Sequence, residues 1–236
     1  MSYFKDKIVV ITGASSGVGK SIARALYTEN AKLLLLGRNV NELDKEFPGS
    51  YVHIINLKND FEIKGFADIV IKNYDKIDIL IHCAGIIYLG NVETLPVEEL
   101  DEQYQINTRA PFLLTQKLLP SVKKAKGQIV FLNSTAGLQT RETLGSYSSS
   151  KFALKAIADS LRLEVRFDGV NVLSVFLGAT ATPMQEKIQT TLGKKFIPDR
   201  FMKPEEIAKA LLSVMQKGET AGITDITIKD HIETNY

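Results

Sequence analysis

Tryptophan is absent from this sequence and cysteine occurs once. The lone Cys83 excludes an intrachain disulfide and fits a reducing compartment. Histidine occurs three times, at His53, His82 and His231, without metal-ligand spacing. No apolar run approaches the roughly 20 residues that a membrane-spanning helix needs. The polar opening Met-Ser-Tyr-Phe-Lys-Asp-Lys does not read as a signal peptide. Charge of one sign is also lacking, since 29 Lys and Arg face 27 Asp and Glu. The densest basic cluster, Lys123, Lys124 and Lys126, precedes a glycine and reads as a solvated helix C-terminus rather than a nucleic-acid patch. The reading is of a soluble, cytoplasmic protein with no nucleic-acid, membrane or metal partner.

What is present is a core of ordinary size, with 44% hydrophobic residues in 236. No linker, repeat or low-complexity segment divides the chain, so residues 1–236 are expected to form one domain. Ile8 to Ile11 is a β-branched run of the kind buried on both faces of a parallel sheet. It ends in Thr12-Gly13-Ala14-Ser15-Ser16-Gly17-Val18-Gly19, after which Val18, Ile22 and Leu26 mark a helix. Small residues between a strand and a helix let the backbone approach a pyrophosphate, and the helix N-terminus offers free N–H groups. Further strands are expected at Leu33 to Leu36, Tyr51 to Ile55, Ile77 to Ile81, Gln128 to Asn133, Asn171 to Phe176 and Ile223 to Ile228. Helical patterns lie between them. From Asp60 to Asn73 the pattern is read as burying Phe61, Phe66, Ile69 and Val70. Glu98 to Leu119 reads as a helical region interrupted at Pro111. Ala153, Ile157, Leu161 and Val165 recur at i+4, with Phe152, Leu154 and Ala158 widening the face. The alternation predicts an α/β fold: a single doubly wound, Rossmann-type parallel sheet of about seven strands with helices on both faces.

Ser134 ends the fifth strand, and Tyr147 and Lys151 follow at helical i, i+4 spacing, one turn apart on one face. A phenol beside an ammonium, with a hydroxyl from a strand end, can move a proton on or off a carbonyl oxygen. Lowering a phenol from about 10 to about 7 takes roughly 4 kcal/mol. A unit charge at about 4 Å supplies that at an effective dielectric near 20.

The glycine spacing is Gly-x-x-x-Gly-x-Gly, not the general Gly-x-Gly-x-x-Gly. With the threonine in front, it resembles the short-chain dehydrogenase/reductase superfamily. The Tyr147-x-x-x-Lys151 pair, Ile106-Asn107 and Gly178-x-x-x-Thr182-x-Met184 follow in that family's order, so the resemblance spans the whole chain. It implies catalytic roles for Asn107, Ser134, Tyr147 and Lys151. In that scheme Tyr147 is the general acid/base, Lys151 also holds the nicotinamide ribose, Ser134 binds the substrate oxygen and Asn107 anchors a relay water. It implies cofactor contacts from Gly13, Ser15, Ser16, Gly17, Val18, Gly19, Arg38, Asn39, Asn56, Leu57, Ala84, Gly85, Tyr147, Lys151, Gly178, Thr180 and Thr182. The position after the second strand that usually holds an acid for the ribose carries Gly37 followed by Arg38. An arginine can pair with a 2′-phosphate through two parallel bonds, so NADP(H) is expected over NAD(H).

Four positions depart from the family pattern. His82-Cys83 replaces the usual Asn-Asn, Leu177 replaces a proline, and Asn56 stands where an aspartate is common. His82 is read as a bracing imidazole and Cys83 as a small buried thiol, neither as catalytic. The resemblance further implies a homodimer through the helices carrying Asn107 and Phe152, with a homotetramer as the alternative. A substrate lid is expected at 183–202, irregular and polar, lining the pocket with Leu138, Thr140 and Leu144. The function so read is hydride transfer between NADP(H) and a carbonyl or secondary alcohol. An epimerase or dehydratase using the same Tyr and Lys is a variant of it. The alternative is a catalytically inactive NADP(H)-binding regulatory protein of the same fold.

Overall fold

The computed structural model describes residues 2–37, 43–216, 218 and 221–230. In chain order its elements are β1 (Ile8–Thr12), α1 (Gly17–Thr28), β2 (Lys32–Gly37), α2 (Leu43–Glu46), β3 (Tyr51–Ile54), α3 (Asp60–Asn73) and β4 (Ile79–His82). There follow α4 (Val97–Tyr104), a π-helical segment (Gln105–Arg109), α5 (Ala110–Ala125), β5 (Gln128–Ser134) and α6 (Gly145–Glu164). The chain continues through β6 (Asn171–Leu177), α7 (Pro183–Thr191), α8 (Pro204–Met215) and β7 (Asp225–Ile228). The seven strands form one sheet in the order β3-β2-β1-β4-β5-β6-β7, and every pairing is parallel.

The apolar strand runs are explained by two cores, one on each face. Side chains alternate along a strand, so Val10, Leu34, Leu36, Leu80, Ile129 and Phe131 point to the face covered by α3, α5 and α6. Val9, Ile11, Leu33, Leu35, Ile81 and Val130 point to the face covered by α1 and α8. Strand order reverses between β1 and β4, which are neighbours in space. A crevice opens beyond their C-terminal ends, where ligands of such sheets bind.

The sequence expectations need four corrections. In α3 the buried stripe is Ile63, Phe66, Ala67 and Val70, whereas Phe61 is 82% exposed and Ile69 faces outward. Phe61 lies in the first turn, where its N–H donates to the capping Asn59 Oδ1 at 3.0 Å. In α6 the buried stripe is Tyr147, Lys151, Leu154, Ala158 and Leu161. Of the expected residues Leu161, Val165, Leu154 and Ala158 are buried, whereas Ala153 and Ile157 lie half-buried at the edge of that face and Phe152 is exposed. The break near Pro111 is a widening rather than an interruption. Proline lacks an N–H and clashes with the carbonyl four residues back, and here it sits in the first turn of α5, just after the π segment. The expected lid is half helical, because α7 spans Pro183–Thr191 and a 3-10 turn covers Pro198–Arg200.

The basic cluster ends α5 as expected. Lys126 caps it in the left-handed conformation, while Lys123 pairs with Asp168 at 2.7 Å and Lys124 with Asp75 at 3.1 Å. Among the described residues no helix is long and apolar enough to cross a membrane.

Candidate active site

The glycine turn closes against the end of β4. Gly13 has φ +69°, and a Cβ there would lie 2.8 Å from the Ala84 backbone. A Cβ on Gly19 would lie 2.3 Å from the Gly13 carbonyl oxygen, so only glycine lets α1 start this close to the strand. Thr12 Oγ1 accepts from the N–H groups of Cys83 and Ala84 at 3.1 and 3.2 Å, fastening the two strand ends. Ser16, in extended conformation, gives α1 no side-chain cap, and no acid occupies the first turn. The leading N–H groups and the positive end of the helix dipole are therefore left for an anion.

All the described residues of the expected cofactor set line one cavity of about 680 Å³. They are Gly13, Ser15, Ser16, Gly17, Val18, Gly19, Asn56, Leu57, Ala84, Gly85, Gly178, Thr180 and Thr182, together with Ser134, Tyr147 and Lys151. Arg38 and Asn39 lie outside the described residues. Thr182 caps α7, its Oγ1 accepting from Gln185 N–H at 3.2 Å and donating to the Thr180 carbonyl. Leu138 and Leu144 line the cavity as expected, and Thr140 does not.

β5 delivers Ser134 to the cavity, and α6 turns Tyr147 and Lys151 toward it. Burial pushes the Tyr147 phenol up to about 12, against a side-chain hydrogen bond with Ser134 that lowers it. Burial also pulls the Lys151 ammonium down to about 8. The phenol depressed toward 7 is thus not what the protein groups produce by themselves. Lys151 Nζ stands 5.8 Å from the centre of the Tyr147 ring and donates to the Leu132 carbonyl at 3.2 Å. Desolvation of the phenolate outweighs its attraction.

Asn107 is fully buried in the π segment, behind Gly85 rather than on the cavity wall. Its Oδ1 accepts from Ile86 N–H at 2.9 Å. Its Nδ2 donates to the Ile86 carbonyl at 2.9 Å and to Ser150 Oγ at 3.1 Å. One turn earlier Gln103, equally buried, does the same for the next contacts. Its Oε1 accepts from Tyr88 N–H at 3.0 Å, and its Nε2 donates to Ser146 Oγ at 2.8 Å and to the Glu99 carbonyl at 3.2 Å. Ser146 and Ser150 immediately precede Tyr147 and Lys151. Asn133 completes this support, donating to the Lys151 carbonyl at 3.1 Å and accepting from Ser134 N–H at 2.8 Å. Sequence reasoning missed Gln103, Asn133, Ser146 and Ser150. The available signal was a second amide four residues before Asn107, facing the same way.

His82 is the brace expected of it. Its Nε2 lies 2.8 Å from Thr115 Oγ1 on α5, and its ring stacks on Phe131 at 5.0 Å. Burial lowers its pKa to about 3, so the imidazole stays neutral. The Cys83 thiol is pushed up by burial, which disfavours the nucleophilic thiolate.

The sequence profile described as short chain dehydrogenase matches residues 7–193. An uncharacterized oxidoreductase of Staphylococcus epidermidis is 30% identical over 236 residues, covering 97% of this chain and 99% of the relative. Dehydrogenase/reductase SDR family member 7B of Danio rerio is 34% identical over 233 residues, covering 90% of this chain and 75% of the relative. Among solved structures, a short chain dehydrogenase of Shigella flexneri complexed with NADP superimposes with a TM-score of 0.86 at 26% identity. That match covers 96% of this chain and 98% of the other.

Proposed function

The chain belongs to the short-chain dehydrogenase family and is an oxidoreductase of that family, and from this we propose that it reduces a carbonyl compound with NADPH through Tyr147. The observation that carries the reading is the convergence of Ser134, Tyr147 and Lys151 on the same cavity as the glycine turn. The cradle suits a dinucleotide. The close approaches at Gly13 and Gly19 bring the uncapped N-terminus of α1 to the cavity, where a pyrophosphate would lie, and Gly85 clears the wall in front of Asn107 and Lys151. A relative in fold and sequence is complexed with NADP. Arg38, the residue after β2, supports NADP(H) over NAD(H) through its capacity to pair with a 2′-phosphate.

When bound, the nicotinamide ring supplies or accepts the hydride. The protein supplies position and the proton. A phenol held at about 12 by burial is protonated across the physiological range, so Tyr147 is set to give its proton to an oxygen on which negative charge develops. Ser134, hydrogen-bonded to the same phenol, shares that oxygen and fixes its direction. Lys151, positive below about pH 8, lowers the cost of the phenolate that forms and presents donors to the ribose hydroxyls. Asn107 holds the Ile86 backbone and Ser150, and the relay water it is expected to anchor rests on the family resemblance alone. Exposed Phe112 on α5 and Phe152 on α6 support a homodimer through those helices, and the single free thiol fits a reducing cytoplasm.

The test is Tyr147→Phe, assayed by NADPH oxidation against ketones, aldehydes, quinones and hydroxysteroids, with NADH as the control cofactor. The variant is expected to lose turnover and keep NADPH binding. Near wild-type turnover by the Phe variant would refute the mechanism. NADPH binding by the wild type with no turnover on any carbonyl would favour a regulatory protein instead.

A further inference from the structure

The cavity is roofed at one end by α7, whose inward stripe is Gln185, Ile188 and Gln189, spaced i, i+3 and i+4. Gln185 and Gln189 are only 9% and 6% exposed. Neither side-chain amide has a hydrogen-bond partner among the described residues. Both residues bond through the backbone instead, Gln185 N–H to Thr182 Oγ1 and Lys194 N–H to the Gln189 carbonyl. The contrast with Gln103 is sharp, because that buried amide is bonded on both its oxygen and its nitrogen. Gln128 also lacks partners, but it sits in β5 away from this cavity. The remaining wall at this end is largely apolar, with Leu89, Leu138, Leu144 and Met184 beside Ile188 and Leu192. Buried polar groups are ordinarily paired, and a pocket with a few convergent polar groups in apolar walls uses them to orient a ligand.

We propose that the substrate carries, remote from its reacting carbonyl, a second, uncharged hydrogen-bonding group such as a hydroxyl or amide, received by Gln185 and Gln189. The inference rests on the oxidoreductase reading above. Each glutamine amide both donates and accepts without charge, which matches a neutral partner with the same capacity. The charged groups of this end, Arg141, Glu142 and Lys194, are exposed at the rim and of mixed sign. The scaffold joining the two functional groups is aliphatic or alicyclic, to lie against the leucines, Met184 and Ile188.

The test uses matched ketones on two scaffolds: a long-chain methyl ketone and tert-butylcyclohexanone. Each is compared with the isostere in which one remote methyl is replaced by hydroxyl, and with the corresponding carboxylate. In NADPH oxidation, wild type is expected to prefer the hydroxyl member by about tenfold or more in kcat/KM on at least one scaffold. Gln185→Leu, Gln189→Leu and the double variant are expected to collapse that ratio toward unity. The inference is overturned by a ratio at or below unity on both scaffolds, by a ratio that survives in the double variant, or by a preference for the carboxylate. Calorimetric titration of the same ketones into NADPH-saturated Tyr147→Phe protein reads the ratio without turnover. Discrimination in binding without wild-type turnover keeps the inference and refutes the oxidoreductase reading. Turnover without discrimination does the reverse, and equal or absent binding of all members overturns the inference.

Discussion

Replacing His82 with glutamine should remove one identifiable component of acid destabilisation. In the folded protein the imidazole is buried against Phe131 and Thr115, and burial brings its pKa down to about 3. In the unfolded chain it returns to about 6.5. Between these values the unfolded state binds a proton that the native state refuses, so stability falls as pH falls, by about 1.4 kcal/mol per pH unit. His82 therefore contributes no pH dependence above roughly pH 7. It removes about 2.7 kcal/mol by pH 4.5 and about 4 kcal/mol by pH 3. That is a large share of the roughly 5–15 kcal/mol that holds an ordinary domain together. Carboxylates held low by ion pairs, Glu46 and Asp159 among them, also lose their stabilising effect in acid. The informative quantity is thus the difference between variant and wild type. Glutamine keeps a partner for Thr115 and loses the ring stack, worth about 0.5–1.5 kcal/mol. In urea unfolding the variant should be the less stable protein near neutral pH and the more stable one near pH 4.5, the curves crossing between. Parallel curves over that interval would refute the assignment of a neutral, non-titrating His82.

Gly19→Ala should cost about 1–3 kcal/mol, because its methyl meets the Gly13 carbonyl and the start of α1 has to move. NADPH affinity, read by titration, should fall with it, while Gly65→Ala on open α3 surface serves as a stabilised control. Gln103→Leu leaves Tyr88 N–H and Ser146 Oγ without the partners they have in the wild type, and urea unfolding should show a loss of about 1–3 kcal/mol. Arg38→Asp should shift the ratio of kcat/KM for NADPH over NADH downward by about one to two orders of magnitude. An unchanged ratio would remove the sequence basis for the NADP(H) preference.

Much of the site was legible because its signals are local. The glycine turn lies within eight consecutive residues, and Tyr147 and Lys151 are neighbours on any helix. Strand positions were legible because two-sided burial makes each strand a continuous apolar run, as in Val9, Val10 and Ile11. Helix faces were less so. α3 and α6 carry apolar residues on more than one side, and only the sheet they pack against decides that Ile63 rather than Phe61 goes inside and that Phe152 stays out. Polar composition misread the lid, since Thr182 caps a helix that Pro183 begins. Its glutamines look like solvated surface in sequence and prove to be cavity wall. The supporting amides were missed for a different reason: Gln103 meets Ser146, and Asn107 meets Ser150, across 43 residues of chain each.

That pair of contacts has a geometric consequence. Gln103 and Asn107 are four residues apart, as are Ser146 and Ser150, so two rungs of one ladder join the π segment and α4 to α6. A single rung would leave α6 free to pivot. Two rungs four residues apart, about 6 Å along the axis, fix its rotation and its axial position together. A slip of α6 by one residue would turn its side chains by about 100° and break both rungs at once. Each rung also ends on the backbone after β4, at Tyr88 and Ile86, so the wall beside Gly85 and the helix bearing Tyr147 and Lys151 share one set of fixings. The hydroxyls that take the load precede the reactive side chains by one residue, leaving the phenol and the ammonium clear for the cavity. Placement of the proposed chemistry therefore depends on neutral amides and serines that never touch it.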